Sequence, residues 1–155
     1  VILLIMINLT LGIILQLMTK ITKTPHIVFW ILIPIILLTG FLKPDKTFYF
    51  NIHDTYYVLG LINLAVLISI IFAIIGFGYW VIIRLNRRLV YWLTVIHLII
   101  TVIGFCLILF IPFFLSDSNQ DFGSNLTVTL STLAAVCVQL LYPVNIITAF
   151  IRKIN

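Results

Sequence analysis

"YVLGLINLAVLISIIFAIIGFGYWVII" occupies residues 57–83, 27 positions without a charge. At 1.5 Å per residue, an α-helix of that length spans about 40 Å, more than the roughly 30 Å of hydrocarbon in a bilayer. The run is too long for a strand and shows no alternation of apolar with polar residues, so it reads as a membrane helix. Working outward, similar runs lie at about 89–115 and 126–151, a shorter one at 27–42 with Pro34 in its middle, and another at 1–18. Transmembrane helices tolerate proline where neighbours satisfy the freed backbone. The expectation is an all-α polytopic bundle of four to five spans, forming one transmembrane domain over 1–155. The count stays open because "MTKITK" at 18–23, followed by an apolar core, also reads as the start of a first membrane segment.

Composition agrees. Hydrophobic residues make up 63% of the chain and charged residues only 8%, where soluble domains carry about 25% charged. Mean hydropathy is +1.30. The net charge of +5 sits in short clusters between apolar runs, a pattern that sets membrane topology and does not point to nucleic acid. Lys20, Lys23, Arg84, Arg87, Arg88, Arg152 and Lys153 fall on one side of the alternating spans, and only Lys43 and Lys46 on the other. The positive-inside rule makes the first side cytoplasmic, in a bacterial inner membrane or its equivalent. Cys106 and Cys137 sit within apolar runs without the spacing of a zinc or haem-attachment motif. Tyr79, Trp80, Tyr91 and Trp92 bracket the basic turn and read as an interfacial aromatic belt. Ser124 or Asn125 reads as the cap of the last helix.

The polar residues at the mouth of the decisive run are the candidate site. "NIHDTYYVLGLIN" at 51–63 puts His53, Asp54, Tyr56 and Tyr57 together. A carboxylate beside an imidazole can share a divalent ion, with further oxygen ligands from elsewhere and Asp45 the nearest other carboxylate. The simpler alternative makes Asp54 the N-cap of the helix and His53 and the tyrosines interfacial anchors. Deeper in the membrane lie Asn63, His97 and Gln139, with Asn145 nearer the basic side. Intramembrane ionisable groups are functional candidates by default, yet a neutral His97 bonded to Gln139 or Asn145 would simply join two helices. No Gly-rich phosphate loop, nucleophile elbow or HExxH motif is present.

The hexapeptide HDTYYV at 53–58 resembles the signature of subunit I of the haem-copper oxidases, the catalytic subunit of cytochrome c oxidase. The similarity continues through "IFAIIGFGYW" at 71–80, Trp92, Ile96–His97, "FIPFF" at 110–114 and "AFIRKIN" at 149–155, in the family's order. Residues 51–155 thus resemble the last three helices of a twelve-helix subunit. That resemblance implies that the motif opens a helix on the outer face and that His53 and Asp54 match residues holding a magnesium ion. It also marks a departure: the family's two haem-ligating histidines fall at Leu61 and Asn63. Leucine has no donor atom and an amide is not a usual axial ligand, so no haem and no oxygen reduction are expected. The implied role is a non-catalytic membrane protein accessory to a respiratory complex, with the lipid bilayer and other membrane subunits as partners. Two alternatives stand beside it. One is a stand-alone metal- or proton-handling protein using His53, Asp54, Tyr56, Tyr57 and His97, and the other is a fragment without function.

Overall fold

The computed structural model describes residues 16, 19–52, 55–114 and 122–152. Their order is α1 (Pro25–Leu42), β1 (Thr47–Ile52), β2 (Thr55–Gly60), α2 (Leu61–Arg84), α3 (Tyr91–Phe114), α4 (Phe122–Val138) and α5 (Leu141–Ile151). A short helical segment at 19–23 precedes α1. Pro25 opens α1, a position where the missing N–H costs nothing and the fixed φ suits a helix. Among the described residues, four spans are long and apolar enough to cross a membrane: Pro25–Leu42, Leu61–Arg84, Tyr91–Phe110 and Thr129–Ile151. The chain is an integral membrane protein with an all-α bundle at its centre. The expected span over 1–18 lies largely outside the described residues.

The third expected span starts four residues late. Residues 55–60 form a strand, not helix, and pair antiparallel with 47–52 in the register Thr47↔Gly60 to Ile52↔Thr55. The sequence Thr-Tyr-Tyr-Val is rich in β-branched and aromatic residues, which favour extended backbone. Gly60, itself extended at φ −61° and ψ 139°, occupies the N-cap of α2. The Leu61 amide then donates to the Lys46 carbonyl at 2.9 Å, tying the hairpin's base to the helix start. Asp54 is therefore not the cap of this helix. Ser124 and Asn125 do not cap the last span either, since α4 begins at Phe122 and they fall within its first turn.

Close crossings at glycine hold the spans together. At Gly40 of α1 an added Cβ would stand 2.7 Å from the Ala65 Cβ and 3.2 Å from the Ile62 backbone of α2. Gly76 of α2 makes room for the Trp30 indole of α1, and Gly104 of α3 faces Ala135 of α4. Without a hydrophobic driving force between helices in lipid, small residues matter because they let backbones approach and gain dispersion contact. The core runs through Phe29, Ile68, Phe72 and Tyr79, with Phe29 and Phe72 edge to face at 5.2 Å. Leu42 and Leu61 flank the hairpin end of the bundle, while Pro25, Arg84, Tyr91 and Ile151 mark the opposite, basic end.

Candidate functional site

The last span is broken at Gln139–Leu140, and Pro143 explains the break. Proline has no N–H for the carbonyl four residues back and its ring clashes with that carbonyl, here Gln139's. The chain tightens instead. The Gln139 amide donates to Val136, Leu140 to Cys137 and Tyr142 to Gln139, each one residue short of the α-helical partner, at 3.1–3.2 Å. The Ala135 carbonyl thereby loses its regular donor, the Gln139 backbone N–H. The Gln139 side chain replaces it, its Nε2 donating to the Ala135 oxygen at 2.8 Å.

That single bond fixes a chain of others. A backbone carbonyl only accepts, so the nitrogen of the Gln139 amide must face Ala135. Nε2 also donates to Thr101 Oγ1 at 3.1 Å, and Oε1 is left facing His97 Nε2 at 3.1 Å. An amide oxygen only accepts, so His97 carries its proton on Nε2. In the neutral ring Nδ1 is then an acceptor, and Tyr79, with its hydroxyl 3.0 Å away, is the donor. The chain runs Tyr79 to His97 to Gln139 to Thr101 and Ala135, linking α2, α3 and α4. His97, Tyr79 and Thr101 are fully buried. Aromatic rings enclose the imidazole, with Tyr142 stacked at 5.6 Å and Phe29 tilted at 6.1 Å.

A second knot lies nearer the basic end. Asn145 of α5 is fully buried; its Oδ1 accepts the Val90 amide at 2.9 Å and its Nδ2 donates to Thr94 Oγ1 at 2.8 Å. Thr94 in turn donates to the Val90 carbonyl at 3.0 Å. Asn145 thus satisfies a donor at the N-terminal end of α3, where amides have no partner within the helix.

The other expected site residues lie elsewhere. His53 and Asp54 are outside the described residues. Tyr56 and Tyr57 belong to β2, opposite Asn51 and Phe50, and Tyr57 is exposed. Asn63 is exposed in the first turn of α2, while Leu61 is fully buried in the core. Asp45 cannot join a ligand set beside Ile52, because the six residues of β1 separate them by about 20 Å. The β2 backbone ends at Gly60, about 28 Å along α2 from Tyr79, the partner of His97, so the hairpin and His97 lie toward opposite ends of that helix. Tyr79 is also fully buried, so it leaves the interfacial belt; Trp80, Tyr91 and Trp92 are exposed and fit it.

Thr94 and Thr101 escaped the sequence reading, although their spacing carries a signal. Thr94, His97 and Thr101 recur at i, i+3 and i+7, which puts three polar side chains on one helical face. Gln139 and Pro143 stand four apart, the spacing at which proline strips a carbonyl of its donor. Comparison of the chain with protein-family models, with curated proteins and with solved structures returns no match.

Proposed function

We propose that this chain is a non-catalytic relative of the last three helices of oxidase subunit I and acts as a packing subunit in or beside a respiratory membrane complex. One observation carries the non-catalytic part: both ring nitrogens of His97 are engaged by side chains, Tyr79 on one and Gln139 on the other. An imidazole so engaged has no lone pair to offer a haem iron or copper. Leu61 and Asn63 stand at the two positions where the resembled family ligates haem. The resemblance rests on HDTYYV and on the order of the weaker matches after it.

In this reading the basic end faces the cytoplasm, with the C-terminus, and the HDTYY segment faces outward, on the seven-to-two bias of Lys and Arg. His53 and Asp54 hold a magnesium-like ion there. Because β1 keeps Asp45 away, the remaining oxygen ligands come from water or a partner subunit. Purification of the tagged chain in mild detergent tests the proposal. The expected result is a haem-containing membrane complex that co-purifies in fixed stoichiometry, with no haem on the chain itself. A chain that emerges free of membrane partners, or carries its own haem, overturns it. Metal analysis of the purified material should show bound magnesium that Asp54→Asn abolishes. A cysteine at Asp45 should label with an impermeant reagent from outside, and one at Asn86 should not.

A further inference from the structure

All four aspartates of the chain, Asp45, Asp54, Asp117 and Asp121, lie in sequence between Leu42 and Leu61 or between Phe114 and Phe122. The basic end has none. There, a cleft of about 530 Å³ opens between the segment at 19–23 and the turn joining α2 to α3. Lys23, Arg87 and Arg88 line it together with Thr19, Thr22 and Asn86. Three cations thus converge on one space, while the Thr19 and Thr22 hydroxyls donate to the carbonyls of Gln16 and Thr19. Asn86 shapes the turn, holding φ +54°, a left-handed conformation that asparagine tolerates better than most residues. Arg87 gives one N–H to the Arg152 carbonyl at 3.4 Å; a guanidinium has five donors, so the fork keeps others for an anion.

We propose that this cleft binds the phosphate headgroup of an anionic phospholipid in the leaflet at the basic end of the bundle. The three cations suit phosphate oxygens, with arginine the side chain best matched to them. Two further features select a lipid over free phosphate. The cleft sits where the apolar spans end, beside exposed Trp80, Tyr91 and Trp92, residues that mark headgroup depth. Its wall also includes apolar Ile83 and Leu89, which a hydrated inorganic ion would not use and a glycerol backbone with its acyl chains would. A second cavity of about 450 Å³ shares Ile83 and Asn86 with the first and brings Arg84 alongside, so a neighbouring headgroup meets the same field. Basic pockets between spans are a recurrent way of selecting anionic lipids.

The test uses the full chain in detergent and measures retained and added lipid by native mass spectrometry. Phosphatidylglycerol should bind in preference to phosphatidylcholine. The triple variant Lys23→Gln, Arg87→Gln, Arg88→Gln should lose that preference, with affinity falling on the order of 100-fold if each cation contributes as at other membrane surfaces. Lys43→Gln with Lys46→Gln, at the hairpin end, should keep it. Equal binding of the two lipids by the wild-type chain overturns the proposal whatever the variants do. So does a triple variant that retains the preference. Displacement of phosphatidylglycerol by millimolar inorganic phosphate would assign the cleft to the free ion and overturn the lipid reading.

Discussion

If Pro143 is the reason that Gln139 turns its side chain to Ala135, the two residues must be energetically coupled. The perturbation is Gln139→Leu, close in volume and without hydrogen-bonding atoms. It removes the bonds to His97 and Thr101, at about 0.6 kcal/mol each for side-chain pairs within a membrane. It also leaves the Ala135 carbonyl without a donor, because the residue's backbone N–H remains on Val136. An unsatisfied buried carbonyl costs about 1–3 kcal/mol. The single substitution should therefore destabilise by about 2–4 kcal/mol in all.

Pro143→Ala restores an N–H for the Gln139 carbonyl and lets the helix close up, so that the backbone N–H of residue 139 can return to Ala135. In the Gln139→Leu background this should recover about 1–2 kcal/mol. In the wild-type background it should recover little of that, since the glutamine side chain already serves Ala135. The difference between the two backgrounds is the measured quantity, and any general gain from removing proline cancels in it. Unfolding in mixed micelles, followed by circular dichroism, gives the four stabilities of the cycle. Unrelated sites add to within about 0.5 kcal/mol. Additivity of Gln139→Leu with Pro143→Ala inside that margin would refute the reasoning. Thr101→Val, which removes one Gln139 bond without touching Ala135, should be additive with Pro143→Ala.

Three other outcomes follow from the same geometry. Nitrogen NMR of His97 should show a neutral ring protonated on Nε2 alone, and a proton on Nδ1 would mean that the Gln139 amide is turned the other way. Gly40→Ala should cost about 1–3 kcal/mol, because the new methyl meets the Ala65 Cβ and the Ile62 backbone, neither of which can rotate aside; an unchanged stability would show that α1 and α2 do not cross there. The purified chain should have no Soret band, and a low-spin haem spectrum that disappears in His97→Ala would show that His97 had become an axial ligand.

The spans were legible because their signal is composition over length, and that survives any detail of packing. The hairpin was not. Tyr57 to Gly60 is apolar enough to be counted with the helix that follows it, and only the β-branched and aromatic character of Thr-Tyr-Tyr-Val hints otherwise. The apolar count does not say where extended backbone gives way to helix; Gly60 and the bond from Leu61 to Lys46 do. The break at Gln139 hid for a related reason. A proline within a membrane span is compatible with a kink, a break or no interruption, as Pro34 inside unbroken α1 illustrates. Tyr79 reads as interfacial from its place beside Trp80, yet consecutive residues on a helix point about 100° apart, and one is fully buried while the other is exposed.

The choice between a structural and a proton-handling His97 turns on what a second proton would meet. With Nε2–H committed to the Gln139 oxygen, the incoming proton would go to Nδ1 and oppose the Tyr79 hydroxyl at 3.0 Å. Tyr79 would have to turn its hydrogen away, toward a surround that includes the rings of Phe29 and Tyr142 and the side-chain amide of Asn145. Alternatively Gln139 would have to flip, which would bring its oxygen against the Ala135 carbonyl at 2.8 Å and place two acceptors face to face. The first change breaks the Tyr79–His97 bond, and the second breaks the Gln139–Ala135 bond that the helix break itself requires. The backbone defect at Pro143 therefore places a proton on Nε2 of an imidazole on another helix and ties that ring to Gln139. A proton carrier needs two arrangements of similar energy. Here the alternatives give up the Tyr79–His97 bond or set the Gln139 oxygen against the Ala135 carbonyl, which favours the packing role over the carrier.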